Sequence, residues 1–88
     1  MFRVEIERKV DKRLEKLPPK HRNQVLRRIF MLENEPRPQD SIQLHDADNG
    51  YRIDMGDYRI LYDIDYEKKL VQVFLLLNRQ EGYRRHGL

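Results

Sequence analysis

Tyr51-Arg52-Ile53-Asp54-Met55-Gly56-Asp57-Tyr58-Arg59-Ile60-Leu61-Tyr62-Asp63-Ile64 is the stretch on which the fold turns. On either side of Gly56-Asp57, apolar and polar residues alternate with the period of two that marks a half-buried strand. Gly56-Asp57 suits a two-residue hairpin loop. That loop sets Met55 opposite Tyr58, Asp54 opposite Arg59, Ile53 opposite Ile60 and Arg52 opposite Leu61. Tyr51, Ile53, Met55, Tyr58, Ile60, Tyr62 and Ile64 then share one face, which needs a cover. Arg52, Asp54, Arg59, Leu61 and Asp63 share the other, where arginines stand among apolar side chains.

Working outward, Tyr66 to Lys69 makes a polar turn, and Leu70 to Leu77 is a nearly continuous apolar run, the signature of a central strand. If the turn is tight, Gln72, Phe74, Leu76 and Asn78 join the arginine face, and Val71, Val73, Leu75 and Leu77 turn to the covered face. Toward the N-terminus, Phe2 to Ile6 alternates as a short strand. Val10, Leu14 and Leu17 recur at helical spacing, and Val25, Leu26, Ile29 and Phe30 form the stripe of a second helix. Pro18-Pro19 closes the first helix and opens the second, and so short a connection favours antiparallel packing. Residues 34–50 are polar, carry Pro36 and Pro38, and end on the turn signal Asn49-Gly50; a stretch this long is expected to pack on the sheet through Ile42 and Leu44. The expected class is α+β in the order β-α-α-β-β-β: an N-terminal strand, an antiparallel helical hairpin and a three-stranded antiparallel meander, with both helices on one face.

Eighty-eight residues fit one domain, expected over 1–88, with little room for a deep cofactor pocket. Cysteine is absent, which excludes disulfides and thiolate chemistry. No apolar run is long enough for a membrane span, and Met1-Phe2-Arg3-Val4-Glu5 does not begin a secretion signal, so the cytoplasm is the expected location. The net charge of +3 conceals basic ends around an acidic middle. A basic surface suits RNA or an acidic protein partner, and charge alone does not choose between them.

Taken by themselves, Asp54 and Arg59 read first as a cross-strand ion pair, and His21 and His45 as surface residues. No two histidines combine with a carboxylate at metal-ligand spacing, so no metal and no cofactor are expected.

The hairpin with its Gly56-Asp57-Tyr58-Arg59 turn resembles the central hairpin of the RelE/ParE toxin superfamily. The tail Asn78-Arg79-Gln80-Glu81-Gly82-Tyr83-Arg84-Arg85-His86 resembles that family's C-terminal His/Lys-Arg-x-x-x-Tyr signature, and the helical hairpin and polar loop match its layout over nearly the whole chain. The resemblance implies a toxin of a type II toxin–antitoxin system, bound by a cognate antitoxin in a hetero-oligomer. Its RelE-like members cleave messenger RNA on the ribosome without a metal; its ParE-like members inhibit DNA gyrase and are not nucleases. On the RelE-like reading, Arg59, Arg79, Tyr83 and His86 take the catalytic positions, with Arg52 and Asp54 contacting substrate. Asp54 departs from the family's pattern, since the strand before the hairpin turn often carries two basic residues two positions apart. Asp54 then either orients Arg59 or serves as the base, or cleavage is weak, and the same departure keeps the ParE-like alternative open.

Overall fold

A computed structural model describes residues 1–45 and 47–81. The chain runs β1 (Arg3–Ile6), α1 (Arg8–Glu15), α2 (Pro19–Phe30), a 3-10 turn at Met31–Glu33, β2 (Ile42–Gln43), β3 (Gly50–Met55), β4 (Tyr58–Asp65), β5 (Leu70–Asn78) and a 3-10 turn at Arg79–Glu81. The class is α+β, with the helical hairpin ahead of the meander as the sequence pattern requires. Pro19 is the first residue of α2, where a missing N–H costs nothing.

The strands form one sheet in the order β1-β5-β4-β3-β2. β1 runs parallel to β5, with Val4 beside Val71 and Ile6 beside Val73. The other pairings are antiparallel, and the hairpin has the register read from Gly56-Asp57, from Met55↔Tyr58 to Arg52↔Leu61. Gly56 has φ of 60° and Asp57 does not share the left-handed region, the arrangement of a type II′ turn, whose twist matches that of the strands it joins.

Between helices and sheet lies one core. Val10, Leu14, Val25, Ile29 and Leu32 meet Tyr51, Ile53, Tyr58, Ile60, Tyr62 and Ile64 from the hairpin and Val71, Val73 and Leu76 from β5.

Three details differ from the sequence reading. The first is in β5. Tyr62 pairs with Val73 but Leu61 pairs with Leu75, so Phe74 is an extra residue, a β-bulge. Beyond it the alternation changes parity: Leu76, not Leu75 and Leu77, joins the core, and Leu75 and Leu77 turn to the arginine face. The second is in α2, where Phe30 is exposed and Leu32 in the following turn is buried in its stead. The third is Ile42, which is exposed. The polar loop is tied down by backbone instead, through the Ile42↔Arg52 and Gln43↔Tyr51 pairs and Leu44 N–H donating to the Gly50 carbonyl at 2.8 Å. It is also tied by the buried Tyr62, whose hydroxyl donates to the Pro36 carbonyl at 2.7 Å. No helix among the described residues is long and apolar enough to cross a membrane.

Candidate functional site

The sheet face turned away from the helices carries Arg52 and Asp54 from β3, Arg59, Leu61 and Asp63 from β4, and Gln72, Leu75 and Leu77 from β5. Strand alternation puts them there, and β4 and β5 at the centre of the sheet fix their spacing. Arg59 Nε donates to Asp54 Oδ1 at 3.1 Å across the hairpin, the cross-strand pair expected from the register. Asp54 is about half exposed, but the Arg59 side chain retains only 13% of its accessible surface. Arg59 is thus largely embedded in the face. The reason lies in its neighbours. Leu61, two residues along, and Leu77, directly opposite, are both almost inaccessible (2% and 3%) although they point away from the helices. A long side chain over apolar surface buries its stem and keeps its charged head toward water.

Arg79 begins the 3-10 turn that follows β5. Its N–H donates to the Asp57 carbonyl at 2.9 Å, and its guanidinium stands 3.7 Å from the Asp57 carboxylate, with both side chains open to solvent. The hairpin loop thus ties Arg79 to the end of the sheet that carries Arg59. Arg52 is partly exposed on the same face, opposite Leu61. Arg52, Asp54 and Arg59 therefore share the helix-free face of the hairpin, and Arg79 is tied to the loop that ends it. Tyr83 and His86, the other two candidate catalytic residues, lie outside the described residues.

Farther down the same face the charge changes sign. Asp63 lies beside Gln72, whose side chain donates to Glu7 at 3.3 Å. Burial, with the nearby Glu7 carboxylate adding to it, pushes the Asp63 carboxyl above the usual carboxylate range. Toward the turn the charged groups are thus Arg52, Arg59 and Arg79 with their partners Asp54 and Asp57, whereas Asp63 and Glu7 are the ones at the other end. Among the described residues no cluster of three or more His, Asp or Glu side chains could hold a metal ion.

The contacts of two polar side chains of α2 escaped the sequence reading. His21 Nδ1 lies 2.9 Å from the Tyr58 hydroxyl, and the rings meet edge to face, so His21 is a tether between helix and hairpin and not a plain surface residue. Arg28 pairs with Asp40 in the polar loop and donates from Nε to the Asp54 carbonyl at 3.4 Å. The Arg28 guanidinium holds the Asp40 carboxyl below the usual carboxylate range. The signal was present: His21, Val25, Arg28 and Leu32 recur at i, i+4, i+7 and i+11, so both polar residues flank the buried stripe of one helix face.

This geometry can be set beside known proteins. Residues 4–83 match the family described as ParE toxin of type II toxin–antitoxin system, parDE. A protein of Methanocaldococcus jannaschii named putative toxin RelE1 is 27% identical over 94% of this chain and 96% of its own. The toxin fold in the crystal structure of an archaeal RelE–RelB complex from Pyrococcus horikoshii superposes with a TM-score of 0.80 at 34% identity, covering 89% of this chain and 94% of that one. A chain of the toxin–antitoxin complex RelBE2 from Mycobacterium tuberculosis gives 0.77 at 28% identity, covering 89% and 98%. The chain belongs to the RelE/ParE superfamily of type II toxins. The family match carries the ParE name, but the full-length relatives are RelE proteins, and the chain sides with the RelE-like branch.

Proposed function

We propose that this RelE-like toxin is a metal-independent endoribonuclease that cleaves messenger RNA on the translating ribosome and is neutralised by a cognate antitoxin protein. The observation that carries the reading is that Arg52 and Arg59 share the helix-free face of the hairpin, with Arg59 braced by Asp54 and Arg79 tied to the hairpin loop. In metal-free cleavage the ribose 2′-oxygen attacks the adjacent phosphorus, the bond from phosphorus to the 5′-oxygen breaks, and charge builds on the non-bridging oxygens. One proton leaves the 2′-hydroxyl and one reaches the departing 5′-oxygen. Arginine suits the charge-neutralising part because its fork fits phosphate oxygens and its charge is permanent. Arg59 takes that role with Arg79 beside it; Arg52 and Asp54 contact and align the strand. Tyr83 and His86 are the candidates for the two proton transfers. The antitoxin partner follows from relatives solved as RelE–RelB complexes, and the resulting assembly is a hetero-oligomer.

One observation favours a second reading, a ParE-like toxin acting on gyrase without cleavage. Asp54 places a carboxylate beside the principal arginine, where it pairs with Arg59 and repels phosphate. The deciding experiment follows messenger RNA by primer extension after induction, with and without ongoing translation, in the wild type and in the Tyr83→Phe and His86→Gln variants. Translation-dependent cuts within coding regions, slowed roughly a hundredfold or more when a proton-transfer group is replaced, are the expected result. Intact RNA accompanied by DNA breaks would overturn the nuclease reading in favour of the second.

A further inference from the structure

β3 is paired along its outer edge only as far as β2 reaches. Its outward-pointing residues are the alternate ones. The Gly50 carbonyl accepts from Leu44 N–H, and Arg52 pairs with Ile42. Asp54 is the next in that series, and at this point the partner strand is over: Ser41 N–H donates to the Pro38 carbonyl at 2.9 Å, turning the chain away. Arg28 takes the place of the missing strand. Its Nε donates to the Asp54 carbonyl while its other arm is fixed by Asp40, and its side chain is only 15% exposed. Asp54 is therefore held by two arginines, one from the helix layer and one from the neighbouring strand. Arg28 comes from the helix layer to its backbone; Arg59 meets its carboxylate on the helix-free face.

We infer that Arg28 is a positioning residue for the proposed RNA-cleaving site: by gripping the Asp54 backbone at the unpaired edge of β3, it sets the carboxylate that orients Arg59. The inference rests on the nuclease reading for its activity measurement but not for its structural one. Arginine is required because two different nitrogens are engaged at once, one on a carbonyl and one on a carboxylate. Lysine, with a single nitrogen on a flexible stem, can serve one partner at a time. His21, seven residues earlier on the same face of α2, holds Tyr58, so the helix grips the hairpin on both sides of its turn. That second tether keeps the hairpin seated when Arg28 is replaced.

The test is a double-mutant cycle read in two ways. Arg28→Lys and Arg28→Met are each made alone and combined with Asp54→Ala. The Arg59 Nε–Hε resonance of the purified chain and the rate of translation-dependent RNA cutting are followed, with thermal melting as a control. In the single variants the Arg59 resonance should move toward its position in Asp54→Ala. Cutting should fall roughly tenfold, and the same Arg28 changes should alter it by no more than about twofold once Asp54 is alanine. A purely structural Arg28 would lower the melting temperature equally in both backgrounds and leave the Arg59 resonance where the wild type has it. That unchanged resonance overturns the inference, whatever the activity shows. A wild-type chain that cuts no RNA refutes the nuclease reading instead, and the resonance still decides the role of Arg28.

Discussion

Replacing Arg59 with methionine separates its charge from its bulk. The stem stays over Leu61 and Leu77, and only the guanidinium is lost. On the folding side the loss is small. Asp54 is about half exposed, and a cross-strand pair of this kind contributes roughly 0.2 to 1 kcal/mol. In a domain of this size about 1 kcal/mol moves the melting temperature by roughly 4 to 8 °C, so the variant should melt within that margin of the wild type. On the chemical side the loss is large. A charge-assisted contact to phosphate is worth roughly 1.5 to 3 kcal/mol, which is a fall of about one to two powers of ten in rate. Arg59→Ala should match it in activity but melt lower, because the apolar residues beneath the stem are uncovered. Melting curves and primer-extension rates on the same preparations measure both quantities. An Arg59→Met chain that folds like the wild type and cuts at a rate within about twofold of it would remove Arg59 from the chemistry.

Three further outcomes follow from the geometry. A Cβ on Gly50 would stand 2.9 Å from the Ala47 Cβ and 3.2 Å from the Leu44 side chain, so Gly50→Ala should cost roughly 1 to 3 kcal/mol; a melting temperature within a degree of the wild type contradicts that packing. Tyr62→Phe removes the hydroxyl that holds the Pro36 carbonyl and should lower stability by roughly 0.5 to 1.5 kcal/mol in chemical denaturation, with faster proteolysis in the 34–41 loop; unchanged loop protection argues against the strap. Asp63→Asn should stabilise the chain near neutrality. Folding raises the Asp63 pKa above the ordinary 3.8, so the folded state penalises the charged form at any pH above the raised value, and the penalty fades as pH falls through that value toward 3.8. Melting at pH 7 should show the gain and melting at pH 3 should not; a gain of equal size at both would assign it to packing.

The hairpin was readable because its determinants are local. Gly56-Asp57 dictates the loop, the loop dictates the register, and the alternation names the faces. Features that depend on distant partners were not readable. Nothing in Phe2 to Ile6 says that its neighbour is β5, some 67 residues away in register. β2 gives no side-chain signal, because its contribution is made by backbone and Ile42 stays exposed. The bulge at Phe74 is hidden inside Val73 to Leu77, where every residue is apolar, so either parity satisfies the pattern. Of the candidate site, the Asp54–Arg59 pair and the face it shares with Arg52 were legible from strand alternation. What was not legible was how far Arg59 is embedded, or that Arg28 and His21 reach the hairpin from the helix above it.

The bulge has a consequence for how the strand can change over generations. A one-residue deletion inside a central strand ordinarily turns every following side chain inside out. Here the deletion of Phe74 alone would leave Val73 opposite Tyr62 and bring Leu75 next in line opposite Leu61, the partner it already has. No residue from Leu75 to Asn78 would exchange faces. What would be lost is the bend and extra twist that a bulge imposes, and with them the angle at which β5 delivers Arg79 to the hairpin loop. Foldability and aim are thus separable at this position: a chain shortened there retains its hydrophobic pattern while the arginine at its end is pointed elsewhere.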